Sequence, residues 1–343
     1  MKKILAAMLA MCMVTAVLSG CGSTPSSSDP APAPSSSAAE PAPAEPSKAE
    51  NEKLVVGFAQ IGQESGWRDA ETADLQWYAA QNIDTIDFKF ADAQQKQENQ
   101  IKAIKSFIDM GVDVIGLAPV VETGWDAVLT EAKEAGIPVI FLDRSAAVAD
   151  DLYATFIGAD FELEGRTACD EMATLLGAEG GKVVELVGTV GATAAIGRQK
   201  GFTDQLANHP EIEVIDSQSG DFTRAKGKEV MESFLKTYGA EIKGVYAHND
   251  DMMLGAIEAI KEAGFKPGQD IKTVSIDGVK AIFEAMAAGE ANVNVECNPL
   301  LGEYFFTTAA KLKAGEAVDH RIVVPAEVHR AETAAEDLPN RKW

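Results

Sequence analysis

From Leu54 onward the chain alternates short β-rich runs with segments of helical periodicity, and this alternation restricts the possible folds more than any other feature. The strand-like runs are Leu54-Val55-Val56-Gly57-Phe58, Ile86-Asp87-Phe88, Val112-Asp113-Val114-Ile115-Gly116-Leu117, Val139-Ile140-Phe141-Leu142, Lys182-Val183-Val184-Glu185-Leu186, Ile212-Glu213-Val214-Ile215, Gly244-Val245-Tyr246-Ala247 and Thr273-Val274-Ser275-Ile276, with Val293-Asn294-Val295-Glu296 later. Between them, apolar residues recur at helical spacing. Ile101, Ile104 and Ile108 run up to Gly111. Trp125, Val128, Leu129 and Ala132 run up to Gly136, with Pro138 beyond, and Met253, Ile257 and Ile260 run up to Gly264, with Pro267 beyond. Gly followed by Pro is a helix stop signal. Near-continuous apolar strands separated by helices predict parallel sheets covered on both faces. So many strands exceed one comfortable open sheet. The expected fold class is therefore α/β, with two doubly wound parallel-sheet lobes.

The residues ahead of this pattern read differently. Lys2 and Lys3 precede an apolar stretch over residues 4–17, closed by Leu18-Ser19-Gly20-Cys21. That is the layout of a secretory signal, too short and wrongly flanked for a spanning helix. A Cys at the cleavage point resembles a bacterial lipobox, in which the thiol is acylated and becomes the new N-terminus. Residues 1–21 are thus expected to be a lipoprotein signal peptide. The protein is expected to be extracytoplasmic, lipid-anchored to the cell membrane through Cys21. Residues 22–52 are almost all Ser, Pro, Ala and Glu, without a large apolar side chain. Such a segment cannot bury enough surface to offset its chain entropy, and it is expected to be a disordered linker.

A formal net charge of −23 argues against nucleic acid and against adsorption to anionic lipid. Only Cys169 and Cys297 fall in the folded part, in elements far apart in sequence, and two buried free thiols are favoured over a disulfide. The four histidines (His209, His248, His320 and His329) lack ligand spacing, so no metal and no cofactor are expected.

In open α/β sheets ligands sit beyond the carboxyl ends of strands. Here those positions are polar almost everywhere: Glu64-Ser65-Gly66-Trp67-Arg68, Asp92-Ala93-Gln94-Gln95, Asp143-Arg144, Thr193 with Arg198 in the helix that follows, Asp221-Phe222-Thr223-Arg224, His248-Asn249-Asp250-Asp251, Asp277-Gly278 and Glu296. A sugar hydroxyl both donates and accepts. Carboxylates accept, Arg donates in a fixed fork, Asn does both, and aromatic rings cover the C–H face. A single Asp after a strand, such as Asp160 or Asp250, is more often a helix N-cap. It is the recurrence at nearly every strand end that points to a binding cage. A glycoside-processing enzyme is the competing class, but no acid/base pair stands apart from the other polar groups.

At these residues the chain resembles the ribose-type (type I) periplasmic sugar-binding proteins of ABC importers, closest to their galactofuranose-binding branch. The carrying stretches are Glu64-Ser65-Gly66-Trp67-Arg68, residues 91–100, residues 118–125, Leu142-Asp143-Arg144-Ser145, residues 217–224, residues 246–252 and Ser275-Ile276-Asp277-Gly278. The resemblance implies an N-terminal lobe over 54–157 plus 297–325 and a C-terminal lobe over 158–296 plus 326–343. A three-segment hinge would cross near residue 158, between residues 277 and 296, and near Pro325. Trp67 and Phe222 would sandwich the sugar. Asp143 and Arg144 would grip hydroxyls from one lobe, and Arg198, Asn249 and Asp277 from the other. Glu64, Ser65, Asp92 and Thr193 complete the set. Arg68 and Glu296 stand where ribose binders carry an aromatic and a Gln, which argues for a ligand with more hydroxyls than a pentose. The implied partners are a monosaccharide, which the resemblance gives as galactofuranose, and an ABC importer permease. The protein would act as a monomer and a binding protein, not an enzyme, and sensing for a membrane receptor is the alternative use.

Overall fold

The computed structural model describes residues 53–343; the expected signal peptide, Cys21 and the linker lie outside the described residues. The described chain begins with β1 (Leu54–Gln60), α1 (Gly66–Gln81), β2 (Ile86–Asp92), α2 (Gln97–Met110), β3 (Val114–Leu117), α3 (Asp126–Glu134), β4 (Val139–Leu142) and β5 (Thr155–Gly158). It continues through α4 (Phe161–Leu176), β6 (Gly181–Val187), α5 (Thr193–Gln205), β7 (Ile212–Ser219), α6 (Arg224–Tyr238), β8 (Ile242–Ala247), α7 (Asp250–Glu262), β9 (Lys272–Asp277), α8 (Lys280–Ala287) and β10 (Val293–Glu296). Last come α9 (Gly302–Lys313), β11 (Arg321–Val323), β12 (Val328–Arg330) and α10 (Ala334–Asp337).

The strands form two six-stranded sheets, ordered β11-β5-β4-β3-β1-β2 and β12-β10-β9-β8-β6-β7. The first is parallel throughout. The second is parallel except for β12, which runs antiparallel to β10. The apolar runs divide between two faces, as strand geometry requires. In β4, Ile140 and Leu142 point into the core shared with α1 and α9, while Val139 and Phe141 point to the smaller core under α2 and α3. That two-sided burial is why these strands read as continuous apolar runs. The helix stops behave as the sequence suggests: Gly111 follows α2 with φ 64°, a conformation only Gly adopts at little cost.

The chain passes between the sheets three times. The first passage follows β5 at Gly158. The second comes after β10, over residues 297–301, just past the span 277–296 expected for the hinge, because β9 and β10 pair side by side in the second sheet. The third joins β11 to β12 through residues 324–327. Asp160 caps α4, accepting from the Leu163 amide at 2.9 Å. Asp250 does not cap α7. Asn249 does, accepting from Met252 at 3.0 Å, which frees Asp250 for another role. Cys169 and Cys297 are free, buried thiols.

Away from the hinge the lobes also touch. The Gly66 amide donates to Asp251 Oδ2 at 2.7 Å, Glu122 N to Gly191 O at 2.9 Å, and Ser145 N to Thr193 Oγ1 at 3.2 Å. Each contact joins a first-lobe residue to a second-lobe one, so the cleft is closed along its mouth.

Candidate ligand-binding site

Between the lobes lies a narrow cavity. The first lobe contributes Glu64 and Ser65 from the loop after β1, Trp67 and Arg68 from the first turn of α1, and Asp143 and Arg144 from just beyond β4. The second contributes Ala194 and Arg198 from α5, Phe222 after β7, Asn249 before α7, and Asp277 at the end of β9. Of the thirteen residues marked from sequence, ten meet here. Three do not line the cavity. Asp92 ends the outermost strand and is exposed, its Oδ1 accepting from the Gln94 amide at 2.7 Å. Thr193 joins the lobes through its contact with Ser145. Glu296 turns to His329 at 3.1 Å and Arg341 at 2.8 Å.

Local sequence sets this geometry. Ser65 caps α1 by accepting from the Arg68 amide at 3.3 Å, which places Trp67 and Arg68 in the first turn. Trp67 donates its indole N–H to Cys297 O at 2.5 Å, fixing the ring against the second passage. Asp143, Phe222 and Asp277 have φ of 60°, 61° and 132°, a region that L residues rarely occupy. Three of the six described non-Gly residues with positive φ thus line one cavity, where such strain commonly marks function.

Every cavity arginine is buried and already bound to carboxylates. Arg68 meets Glu71, Asp143 Oδ2 at 2.5 Å and Glu64 Oε1 at 3.3 Å. Burial opposes its charge, but Glu71, Asp143 and Glu64 more than offset this and raise its pKa above the ordinary value. Arg144 binds Glu64 Oε1 at 2.6 Å and lies 5.0 Å from the Phe222 ring of the other lobe. Its pKa is lowered, chiefly by burial, and its Nε makes no hydrogen bond within the protein, with Asp143 Oδ2 3.9 Å away. Arg198 donates to Glu164 Oε2 at 2.8 Å and to His248 O at 2.6 Å, with Asp277 Oδ1 at 3.6 Å. Burial pushes the Asp277 carboxyl well up despite Arg198. Asn249 Nδ2 donates to Phe222 O at 3.0 Å and so holds the ring's backbone.

The supporting carboxylates were not marked from sequence. Glu71 had a readable signal, since it sits three residues after Arg68 on one helix face. Glu164 had none, being 34 residues from Arg198. It reaches because α4 and α5 pack backbone to backbone: a Cβ on Gly165 would meet Arg198 O, and one on Gly201 would meet Glu162 O. The cage therefore offers hydroxyl acceptors and donors, and Trp67 and Phe222 line it from the two lobes. Among the described residues no cluster could hold a metal ion, and no helix is long and apolar enough to cross a membrane.

The sequence pattern of a periplasmic binding protein domain matches residues 56–317. This chain belongs to the periplasmic binding protein family. It is 52% identical over 293 residues to the galactofuranose-binding protein YtfQ of Escherichia coli (strain K12), covering 84% of this chain and 92% of that one. A Mycobacterium smegmatis protein solved in complex with β-D-fucofuranose is 49% identical with a TM-score of 0.81, over 84% of this chain and 94% of that one. The periplasmic binding protein component of the arabinose ABC transporter from Shewanella sp. ANA-3, bound to α- and β-L-arabinofuranose, is 49% identical with a TM-score of 0.81, over 84% and 95%. The two lobes adopt the type I fold of this family.

Burial, opposed by Arg68, pushes the Glu71 carboxyl up to about 7. A carboxyl with a raised folded pKa binds protons more tightly folded than unfolded, so rising pH lowers stability. Relative to Glu71→Gln, the wild type should lose stability from about pH 4.5 to about pH 7 and level off above. Urea midpoints of both proteins across pH 4.5–8 test this. A constant difference between them would contradict the assignment.

Proposed function

We propose that this protein captures a furanose sugar, galactofuranose, in the interlobe cavity and presents it to the permease of an ABC importer. The observation that carries the reading is the cavity wall: three buried arginines, each paired with carboxylates, together with Trp67 from one lobe and Phe222 from the other. Relatives named for galactofuranose, fucofuranose and arabinofuranose support a five-membered ring. The Nε of Arg144, buried at the cavity without a hydrogen bond, suits a hydroxyl oxygen of the ligand. Glu296 no longer enters the argument for a ligand larger than a pentose, since it binds His329 and Arg341. Capture without turnover fits carboxylates committed to arginines, and a labelled galactofuranoside should remain intact on prolonged incubation.

Calorimetry with methyl β-D-galactofuranoside and with ribose tests the ligand class. The galactofuranoside should bind at least about tenfold tighter, because a missing hydroxyl leaves a buried polar group unpaired at about 1–3 kcal/mol. Arg198→Ala should weaken it by about 2–4 kcal/mol, since it strips Glu164 and Asp277 of their cation. Equal affinity for ribose, or wild-type affinity in a folded Arg198→Ala protein, would overturn the reading.

The protein works outside the cytoplasm and, on this reading, is tethered by acylation of Cys21. The run Leu18-Ser19-Gly20-Cys21 motivates the tether. Cys21→Ala should release the protein to the medium or leave it unprocessed. Normally processed, membrane-retained Cys21→Ala protein would refute it.

A further inference from the structure

Asp277 has the most unusual backbone in the cavity, with φ 132°. The turn that follows it is held by residues outside the cavity. Asp250, fully buried, accepts from the Gly278 amide at 2.7 Å and the Val279 amide at 2.9 Å through Oδ2. Its Oδ1 accepts from Ser275 Oγ at 2.5 Å and Asn294 Nδ2 at 2.6 Å. The Gly278 carbonyl is held separately, by Arg341 Nη2 at 2.7 Å, while Arg341 Nη1 donates to Glu296 Oε2 at 2.8 Å. The guanidinium lies 4.3 Å from the centroids of both the Phe283 and Trp343 rings. The Trp343 carbonyl accepts from Lys280 N at 2.5 Å, which ties this last segment to the start of α8. Gly278 itself has φ 99°, and a Cβ there would run into Arg341 Nη2.

We propose that Arg341 is a positioning residue for sugar binding. By holding the Gly278 carbonyl while Asp250 holds the two amides, it fixes Asp277 where the carboxylate lines the cavity and faces Arg198. Glu296 belongs to this support, orienting Arg341 with its second arm. The inference rests on the sugar reading above, in which Asp277 touches the ligand. A guanidinium suits the task because its fork satisfies a backbone carbonyl and a carboxylate together while its faces stack on rings. A residue that merely fastened the chain's last segment would change stability and leave recognition alone.

The test is a double-mutant cycle in the full-length protein, read by calorimetry with methyl β-D-galactofuranoside. Amide hydrogen exchange on the ligand-free proteins is read alongside. Arg341→Ala should weaken binding about tenfold, and in an Asp277→Ala background it should add no more than about a twofold loss, because both changes remove the same contact. Exchange at Gly278 and Val279 should quicken at least about tenfold in Arg341→Ala with circular dichroism unchanged. Should Arg341→Ala fail to fold, Arg341→Lys, which keeps the charge and loses the fork, takes its place with the same expectations. Unchanged affinity, or losses that multiply fully in the double variant, would overturn the proposal. If the wild type binds no furanoside, the sugar reading fails, and the exchange data alone decide: faster exchange at 278–279 upholds the positioning of the turn, and unchanged exchange overturns it.

Discussion

A guanidinium taken out of water needs its counter-charge in place before any ligand arrives. Three arginines meet that demand at the centre of this protein, and much of the surrounding architecture follows from it. Leaving one buried charge unpaired costs about 3–5 kcal/mol. Glu64 and Glu71 bracket Arg68 on the first lobe, Glu64 also holds Arg144, and Glu164 holds Arg198 on the second. Each pairing lies within one lobe, so each half of the cage is assembled independently of closure. What crosses the cleft is lighter: the Arg144 guanidinium against Phe222, and single hydrogen bonds from Gly66, Glu122 and Ser145. Such an arrangement lets lobes part at a hinge without separating charges.

The backbone carries the rest of the preorganisation. Asp143 and Asp277 leave their strands with positive φ, which turns each carboxylate toward the cavity instead of onto the next helix N-terminus. Strain of this kind persists only where neighbours over-determine it. For Asp277 those neighbours are Asp250, Asn294 and Arg341, drawn from three distant parts of the sequence. Rigidity there lowers the ordering cost that binding would otherwise meet.

Fold and site were unequally legible in the sequence. Period-two burial on both faces made β1, β3 and β4 visible as apolar runs, and Gly111 and Gly264 ended their helices where expected. Thr155–Gly158, Arg321–Val323 and Val328–Arg330 hold at most two adjacent large apolar residues, too few to stand out as an apolar run, and β12 owes its antiparallel direction to pairing with β10 alone. Ten cavity residues were readable because they follow strands. The same rule admitted Asp92, whose strand lies at the sheet's outer edge, and Glu296, whose strand ends beside Arg341, 45 residues later. Glu164 escaped, and Asp250 was read as a helix cap, because their partners are set by packing of α4 on α5 and of α7 on β9, which no local pattern encodes.

The central claim is that the paired-arginine cage takes the five-membered ring form of its sugar. Saturation-transfer NMR on the protein in a solution of galactose tests this most directly, because pyranose and furanose anomers coexist there and resolve separately. The account predicts saturation carried to the furanose anomeric resonances alone, and lost in Arg198→Ala. Saturation of the pyranose resonances, or of both forms in proportion to their abundance, would contradict it.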